Sequence, residues 1–198
     1  MIAILDSGVA NLTSVQAALD RLGAQSIITD DPKVLQNANR VILPGVGAAE
    51  AAMTSLKKKG LVEVIRALTC PVLGICLGMQ LLFDRSEEGA ECLGIIDGEV
   101  RQLRVLGDLP LPHMGWNQLE VLDAAHPLLN GIKTGDFVYY VHSFAAPVAG
   151  NTIAQTTYGT AFTAMVAKGN FMGCQFHPER SGETGSRILK NFIEMENA

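Results

Sequence analysis

The sequence predicts a three-layer α/β sandwich: a central, mostly parallel sheet, extended by antiparallel strands and covered by helices on both faces. Three observations carry this. Short β-type runs alternate with helical patterns from the first residue to Phe83, which is how βαβ units read. Beyond Gly94, strand-length runs follow one another at short spacing with no helical pattern between them. The 198 residues are 48% hydrophobic and 18% charged, with no internal repeat or linker, which suits one domain over 1–198 with a substantial core.

Residues 2–5 read as the first strand. Residues 12–22 carry Leu12, Val15, Ala18, Leu19 and Leu22 at helical spacing. Strands are expected at 26–28 and 41–43, helices at 48–59 and 61–68. A buried strand at 71–75 runs directly into a helix expected to reach Phe83. The later strands are expected at 98–104, 118–121, 137–144, 152–155, 161–168 and 171–176, as antiparallel or mixed additions to the same sheet. A helix over 184–195 closes the chain, started by Gly182-Glu183-Thr184 and apolar along Ile188, Leu189, Phe192 and Ile193. In such sheets ligands sit beyond the carboxyl ends of the parallel strands.

Composition excludes several classes. The net charge is −5, with no basic tract to hold a phosphate backbone. Lys57-Lys58-Lys59 reads as a solvated helix end. The N-terminus lacks the basic flank of a signal peptide. Residues 137–167 carry no Lys, Arg, Asp or Glu, but Pro147, Gly150 and Asn151 interrupt them, so they read as sheet and turn. Cys70, Cys76, Cys92 and Cys174 form no CxxC pair. They are expected to be free thiols in a cytoplasmic protein.

Val72-Leu73-Gly74-Ile75-Cys76-Leu77-Gly78 is the most informative stretch. An apolar strand enters Gly-x-Cys-x-Gly and then a helix, the nucleophile-elbow pattern with Cys in place of Ser. The glycines relieve crowding where strand turns into helix, and the nucleophile is held in a strained, exposed conformation. A helix N-terminus favours the thiolate. The Leu77 N–H then faces the oxygen of an attacked carbonyl. The competing reading is a buried structural cysteine.

A thiolate nucleophile needs a proton acceptor that later donates to the leaving group. Of His113, His126, His142 and His177, the last stands out, because it follows a strand and precedes Pro178-Glu179. Glu179 is placed to hold one imidazole nitrogen while the other faces Cys76. The alternatives are a solvated strand-ending turn, or a metal site from Cys174, His177 and Glu179 that lacks a second cluster. The loop Pro44-Gly45-Val46-Gly47, also at a strand end, is expected to supply a second oxyanion donor from the N–H of Val46 or Gly47. Glycines on both sides of Val46 let its peptide plane rotate, which permits a switch. The plainer alternative is a tight turn.

Together these segments resemble the class I (triad) glutamine amidotransferases. Residues 4–12, Pro44-Gly45-Val46-Gly47, the elbow through Leu82, Pro112-His113-Met114-Gly115-Trp116-Asn117, Tyr140-Val141-His142-Ser143 and Gln175-Phe176-His177-Pro178-Glu179-Arg180-Ser181 are similar, within that class, to the glutaminase subunits of imidazole glycerol phosphate synthases. The resemblance runs from the first strand to the last helix and implies the flavodoxin-like fold of that class. It implies a triad of Cys76, His177 and Glu179, with glutamine held by Gly47, Gln80, Glu88 and the backbone of Ser143 and Phe144. Glu88 suits the substrate's ammonium group, with Glu87 as its neighbouring competitor. Gln80 lies one helical turn past Cys76.

The reaction implied is hydrolysis of glutamine through a glutamyl thioester, with no cofactor and no metal. The implied partner is a (β/α)-barrel cyclase on another chain, forming a heterodimer, which uses the ammonia to make imidazole glycerol phosphate and aminoimidazole carboxamide ribotide. Asn11, the Met114–Asn117 loop with Trp116, and Arg180 are the expected contacts. The activity is expected to be low until the partner binds. Two other readings stay open: a stand-alone cysteine γ-glutamyl hydrolase or the glutaminase of another synthase, and a non-catalytic α/β binding module.

Overall fold

The computed structural model describes residues 1–8, 10–105 and 109–196; Val9, part of the opening motif, lies outside the described residues. Three of the first four strands are buried on both faces, so nearly every position is apolar and successive side chains enter different layers. β1 (Ile2–Leu5), β3 (Arg40–Gly45) and β4 (Val72–Cys76) show this directly. Ile2, Ile4, Ile42, Leu73 and Ile75 pack with α1 (Leu12–Arg21) and α6 (Gly182–Glu194). Ala3, Leu5, Val41, Leu43 and Val72 pack with α2 (Pro32–Gln36), α3 (Ala49–Lys58) and α4 (Val62–Arg66).

β2 (Ser26–Thr29), β1, β3, β4 and β14 (Phe171–Cys174) form the parallel half of an eight-stranded sheet. β13 (Thr160–Lys168), β12 (Thr152–Tyr158) and β9 (Glu120–Val121) extend it antiparallel from β14. The expected three-layer α/β architecture is therefore present. The carboxyl ends of β3 and β4 lie side by side, with Gly45 opposite Cys76.

Several expectations are corrected. The segments 98–104 and 137–144 do not join the main sheet. β7 (Ile96–Gln102) sits in a small four-stranded sheet with β5 (Phe83–Ser86), β6 (Ala90–Glu91) and β11 (Phe144–Ala145). β10 (Phe137–His142) pairs instead with β8 (His113–Gln118) as a separate antiparallel ribbon. Residues 114–117, expected as a loop, are strand; their apolar side chains Met114 and Trp116 point outward, which inverts the usual pattern. The elbow helix α5 is only Leu77–Gln80. The run Leu81-Leu82-Phe83 suits helix and strand equally, and the N–H groups of residues 93–96 take its carbonyls. α2 was not expected, although Asp31 caps it and Pro32 opens it, a recognisable helix start. Lys59 is not free in solvent: its Nζ donates to the Asp6 carbonyl and pairs with Asp30 at 3.0 Å. Among the described residues no helix is long and apolar enough to cross a membrane.

Candidate active site

β4 ends at Cys76, whose φ of 53° is the one positive value at a non-glycine among the described residues. Such a conformation costs on the order of 1–3 kcal/mol and persists only where its surroundings enforce it. The glycines of the elbow supply that enforcement. A Cβ on Gly78 would lie 1.7 Å from the Leu43 carbonyl oxygen, and one on Gly74 would lie 2.7 Å from the Gly78 backbone. Close backbone packing on both sides leaves the strand-to-helix turn no room to relax.

The Cys76 Sγ lies 3.9 Å from the Val141 carbonyl oxygen and 3.8 Å from Gln175 Nε2. His177 follows β14 at the edge of the same pocket. Its N–H donates to the Tyr139 carbonyl at 3.0 Å and its own carbonyl accepts from Ser181 Oγ at 2.7 Å, which fixes the backbone of the turn. Its Nδ1 lies 2.9 Å from Glu179 Oε1, and both side chains are buried. The other ring nitrogen, Nε2, is buried and without a hydrogen-bond partner. Burial works against the imidazolium, but the charge of Cys76 and the hydrogen bond and charge of Glu179 outweigh it and raise the His177 pKa above its ordinary value.

The other histidines are otherwise engaged. His142 Nδ1 lies 2.9 Å from the Phe144 carbonyl oxygen, which only accepts, so that nitrogen carries the proton. His142 Nε2 then accepts from His113 Nδ1 at 3.0 Å, and His113 Nε2 faces Asn117 Nδ2 at 3.3 Å. Burial, chiefly, lowers His142 to about 3, and burial lowers His113 to about 4. Both are neutral at neutral pH with both nitrogens occupied. His126 Nδ1 accepts from the Leu128 N–H in a short turn, outside the cavity lining. His177 alone combines a carboxylate partner with an uncommitted nitrogen near Cys76.

A cavity of about 340 Å³ opens over Cys76. Among the residues expected from sequence it is lined by Asn11, Val46, Gly47, Cys76, Leu77, Gln80, Glu88, Ser143, Phe144, His177 and Arg180. Glu179 sits behind His177. Glu88 is at the rim, with Oε2 near Ser86 Oγ and the Ala49 N–H. Glu87 turns away to accept from the Gln102 N–H at 2.8 Å; both lie at a hairpin between β5 and β6, not at a helix end. Gly47 has φ +89° with open space around it, and Val46 is 42% exposed, so the loop is not packed into one shape.

Met114 and the 55%-exposed Trp116 lie on the outer face of the ribbon, with Trp116 edge-on to Tyr139. Asn117 instead turns its amide inward, to His113 and to the Thr157 carbonyl. No sequence motif assigns a role to Gln175 or to the His113–His142 pair. Gln175 stands two residues before His177 in a run that the sequence extends as strand to Phe176, where i and i+2 would share a face, although β14 itself ends at Cys174.

The model of the glutamine amidotransferase class-I family matches residues 3–195. The chain is 53% identical over 196 residues to the imidazole glycerol phosphate synthase subunit HisH of Yersinia pseudotuberculosis, covering 98% of this chain and 99% of that one. It is 49% identical over 201 residues to the subunit of the same name from Vibrio cholerae, covering 98% of each. A crystal structure of a glutamine amidotransferase superposes with a TM-score of 0.75 at 17% identity, over 98% of this chain and 97% of that one. PurLQS from Thermotoga maritima superposes with a TM-score of 0.69 at 20% identity, over 97% and 96%. These two likenesses speak for the fold.

Proposed function

The chain belongs to the class-I glutamine amidotransferases, glutamine-hydrolysing enzymes, and we propose that it works on Cys76, His177 and Glu179 as the glutaminase of an imidazole glycerol phosphate synthase in histidine biosynthesis. The observation that carries the catalytic assignment is the strained Cys76 at the floor of a cavity that His177 also lines, with His177 backed by Glu179.

Glutamine enters with its α-ammonium at Glu88 and its side-chain amide over the sulfur. Gly47, Gln80 and the backbone of Ser143 and Phe144 complete its seat. The Cys76 thiolate attacks the amide carbon, and the Leu77 N–H meets the developing oxyanion, joined by an N–H of the Val46–Gly47 loop. His177 donates its proton to the leaving nitrogen, which departs as ammonia. A water molecule gives its proton to His177 and adds to the thioester carbon. The carbon–sulfur bond then breaks, releasing glutamate and the thiolate. Glu179 keeps the imidazole oriented and its charged form stable throughout.

The partner in this reading is a (β/α)-barrel cyclase, paired with this chain as a heterodimer in the cytoplasm. It consumes the ammonia to make imidazole glycerol phosphate and aminoimidazole carboxamide ribotide. Asn11 and Arg180 at the cavity, with Met114 and Trp116 on the ribbon, are the contacts, and Asn117 supports the ribbon from behind. Exposed aromatic and long apolar side chains of this kind suit an interface anchor. The open Val46–Gly47 segment, beyond the packed Gly45 that ends β3, supports a switch in which the partner turns the second oxyanion donor inward. Ammonia yield from glutamine tests this, with and without the cyclase, for the wild type and Cys76→Ala. The expected result is slow turnover alone, strong activation by the cyclase and none in the variant. Full turnover without the cyclase removes the switch. An electrophilic glutamine analogue that labels a side chain other than Cys76 removes the nucleophile.

A further inference from the structure

Cys76 sits at the head of a helix of four residues, and one turn of helix carries little of the dipole that a full helix would turn toward a thiolate. The sulfur also faces the Val141 carbonyl at 3.9 Å, which rewards the protonated thiol. The His177 imidazolium favours the anion by charge, and among the described residues the one neutral side-chain donor bonded to the sulfur is the amide of Gln175 at 3.8 Å, with the residue fully buried.

The orientation of that amide follows from a backbone atom. The Phe144 carbonyl oxygen can only accept, so the Gln80 side-chain atom 2.8 Å from it is Nε2. The same Nε2 lies 3.0 Å from Gln175, so the Gln175 atom there is the acceptor Oε1. The remaining Gln175 atom, facing Cys76, is therefore the donor Nε2. His142 Nδ1 donates to the same Phe144 oxygen and holds it in place. A chain of bonds that starts at a main-chain carbonyl thus ends with an N–H aimed at the sulfur, in a site where low dielectric strengthens it.

We infer that Gln175 is a further catalytic residue of this reaction: its side-chain N–H holds the Cys76 sulfur as an anion, both before attack and when thioester hydrolysis expels it, with Gln80 as the positioning residue that keeps the N–H aimed there. The inference rests on Cys76 being the nucleophile. It does not depend on the partner. In the neutral thioester the donor has little charge to meet, so it acts on the resting thiolate and on the departing one.

The test compares wild type, Gln175→Leu, which removes the donor at similar size, and Gln175→Glu, which retains an acceptor for Gln80 but faces the sulfur with an anion. The first measurement is the rate of iodoacetamide alkylation of Cys76 in the full chain across pH, with peptide mass spectrometry separating it from Cys70, Cys92 and Cys174. The other titratable groups around the sulfur are unchanged in all three proteins: His177 with Glu179 behind it, Cys174 from β14, His142 from β10 and Glu88 at the rim. The expected result is a pH profile displaced upward in Gln175→Leu, with roughly tenfold slower alkylation at neutral pH, and displaced further in Gln175→Glu. With the cyclase present, kcat for glutamine falls while KM stays within twofold. Gln175→Met carries the same comparison should the leucine variant not fold. An unchanged alkylation profile in the folded variants overturns the inference. Absence of alkylation at Cys76 in the wild type overturns the nucleophile assignment itself, so the two failures are distinguishable.

Discussion

Replacing Gly78 with alanine tests whether the elbow is held by packing. The added methyl carbon would lie 1.7 Å from the Leu43 carbonyl oxygen, whereas real Cβ atoms are not found closer than 3.0 Å to such an atom. The gap is about 1.3 Å, and the obstacle is backbone, so no side-chain rotation relieves it. β3 and α5 must separate by that amount. β3 leads into the Val46–Gly47 loop and α5 begins at Leu77, so the two expected oxyanion donors move apart. Overpacking of this kind costs roughly 1–3 kcal/mol. At about 2–4 °C per kcal/mol for a chain of this size, the melting temperature should fall by about 2–12 °C. A displacement of about 1 Å between reacting groups is worth roughly 100-fold in rate. Thermal unfolding followed by circular dichroism, and cyclase-activated glutamine hydrolysis below the transition, read both quantities. Gly169→Ala serves as the control. It has φ +59° in the turn between β13 and β14, with nothing near its Cβ, so it should lose only about 1–2 kcal/mol of stability and no rate. If Gly78→Ala melts with the wild type and hydrolyses glutamine at the wild-type rate, the packing argument is wrong.

Two further predictions concern charge. His142 is neutral in the fold at about pKa 3, whereas the unfolded side chain protonates near 6.5, so its contribution to stability is complete above pH 6.5 and is lost as the pH falls toward 3. Between pH 7.5 and 5 that amounts to about 2 kcal/mol, and His113 acts in the same direction. Urea unfolding across this range should show a steeper acid loss for the wild type than for His142→Gln, and equal slopes would refute the burial of a neutral imidazole. Glu88→Gln should raise KM for glutamine roughly tenfold with kcat largely retained, because one charge-assisted contact to the substrate ammonium is lost. Glu87→Gln, whose carboxylate is turned to the Gln102 N–H, should leave KM within twofold. A reversed order would reassign the carboxylate.

What could be read from the amino acids alone is what neighbouring residues decide among themselves. The alternation of strand and helix up to Cys76, the glycines at 74 and 78 and the His-Pro-Glu turn are local patterns. Each restricts φ and ψ or crowding within a few residues, so the elbow and the first four parallel strands were legible, whereas the parallel pairing of β14 with β4, Phe171 beside Val72, joins segments far apart in the chain and was not. The capped turn of α2 is equally local, its Asp31-Pro32 start lying outside the apolar periodicity that marks the longer helices. The later strands were legible as strands but were all expected in one sheet, whereas β7 and β10 lie in others, because pairing partners such as His113 and His142, or Phe83 and Ile96, are chosen by contacts between distant segments.

The same division runs through the site. The elbow motif, the His-Pro-Glu turn and the family resemblance indicated that Cys76, His177 and Glu179 belong together. They singled out His177 and Glu88, but the hydrogen bonds that occupy the other histidines, and the contact that turns Glu87 away from the cavity, come only from the fold. Those outcomes depend on which carbonyl each side chain meets. The Phe144 oxygen orients Gln80, Gln175 and His142 at once. Periodicity follows from the geometry of one segment, whereas the direction of a buried hydrogen bond follows from the whole set of donors and acceptors that folding brings together.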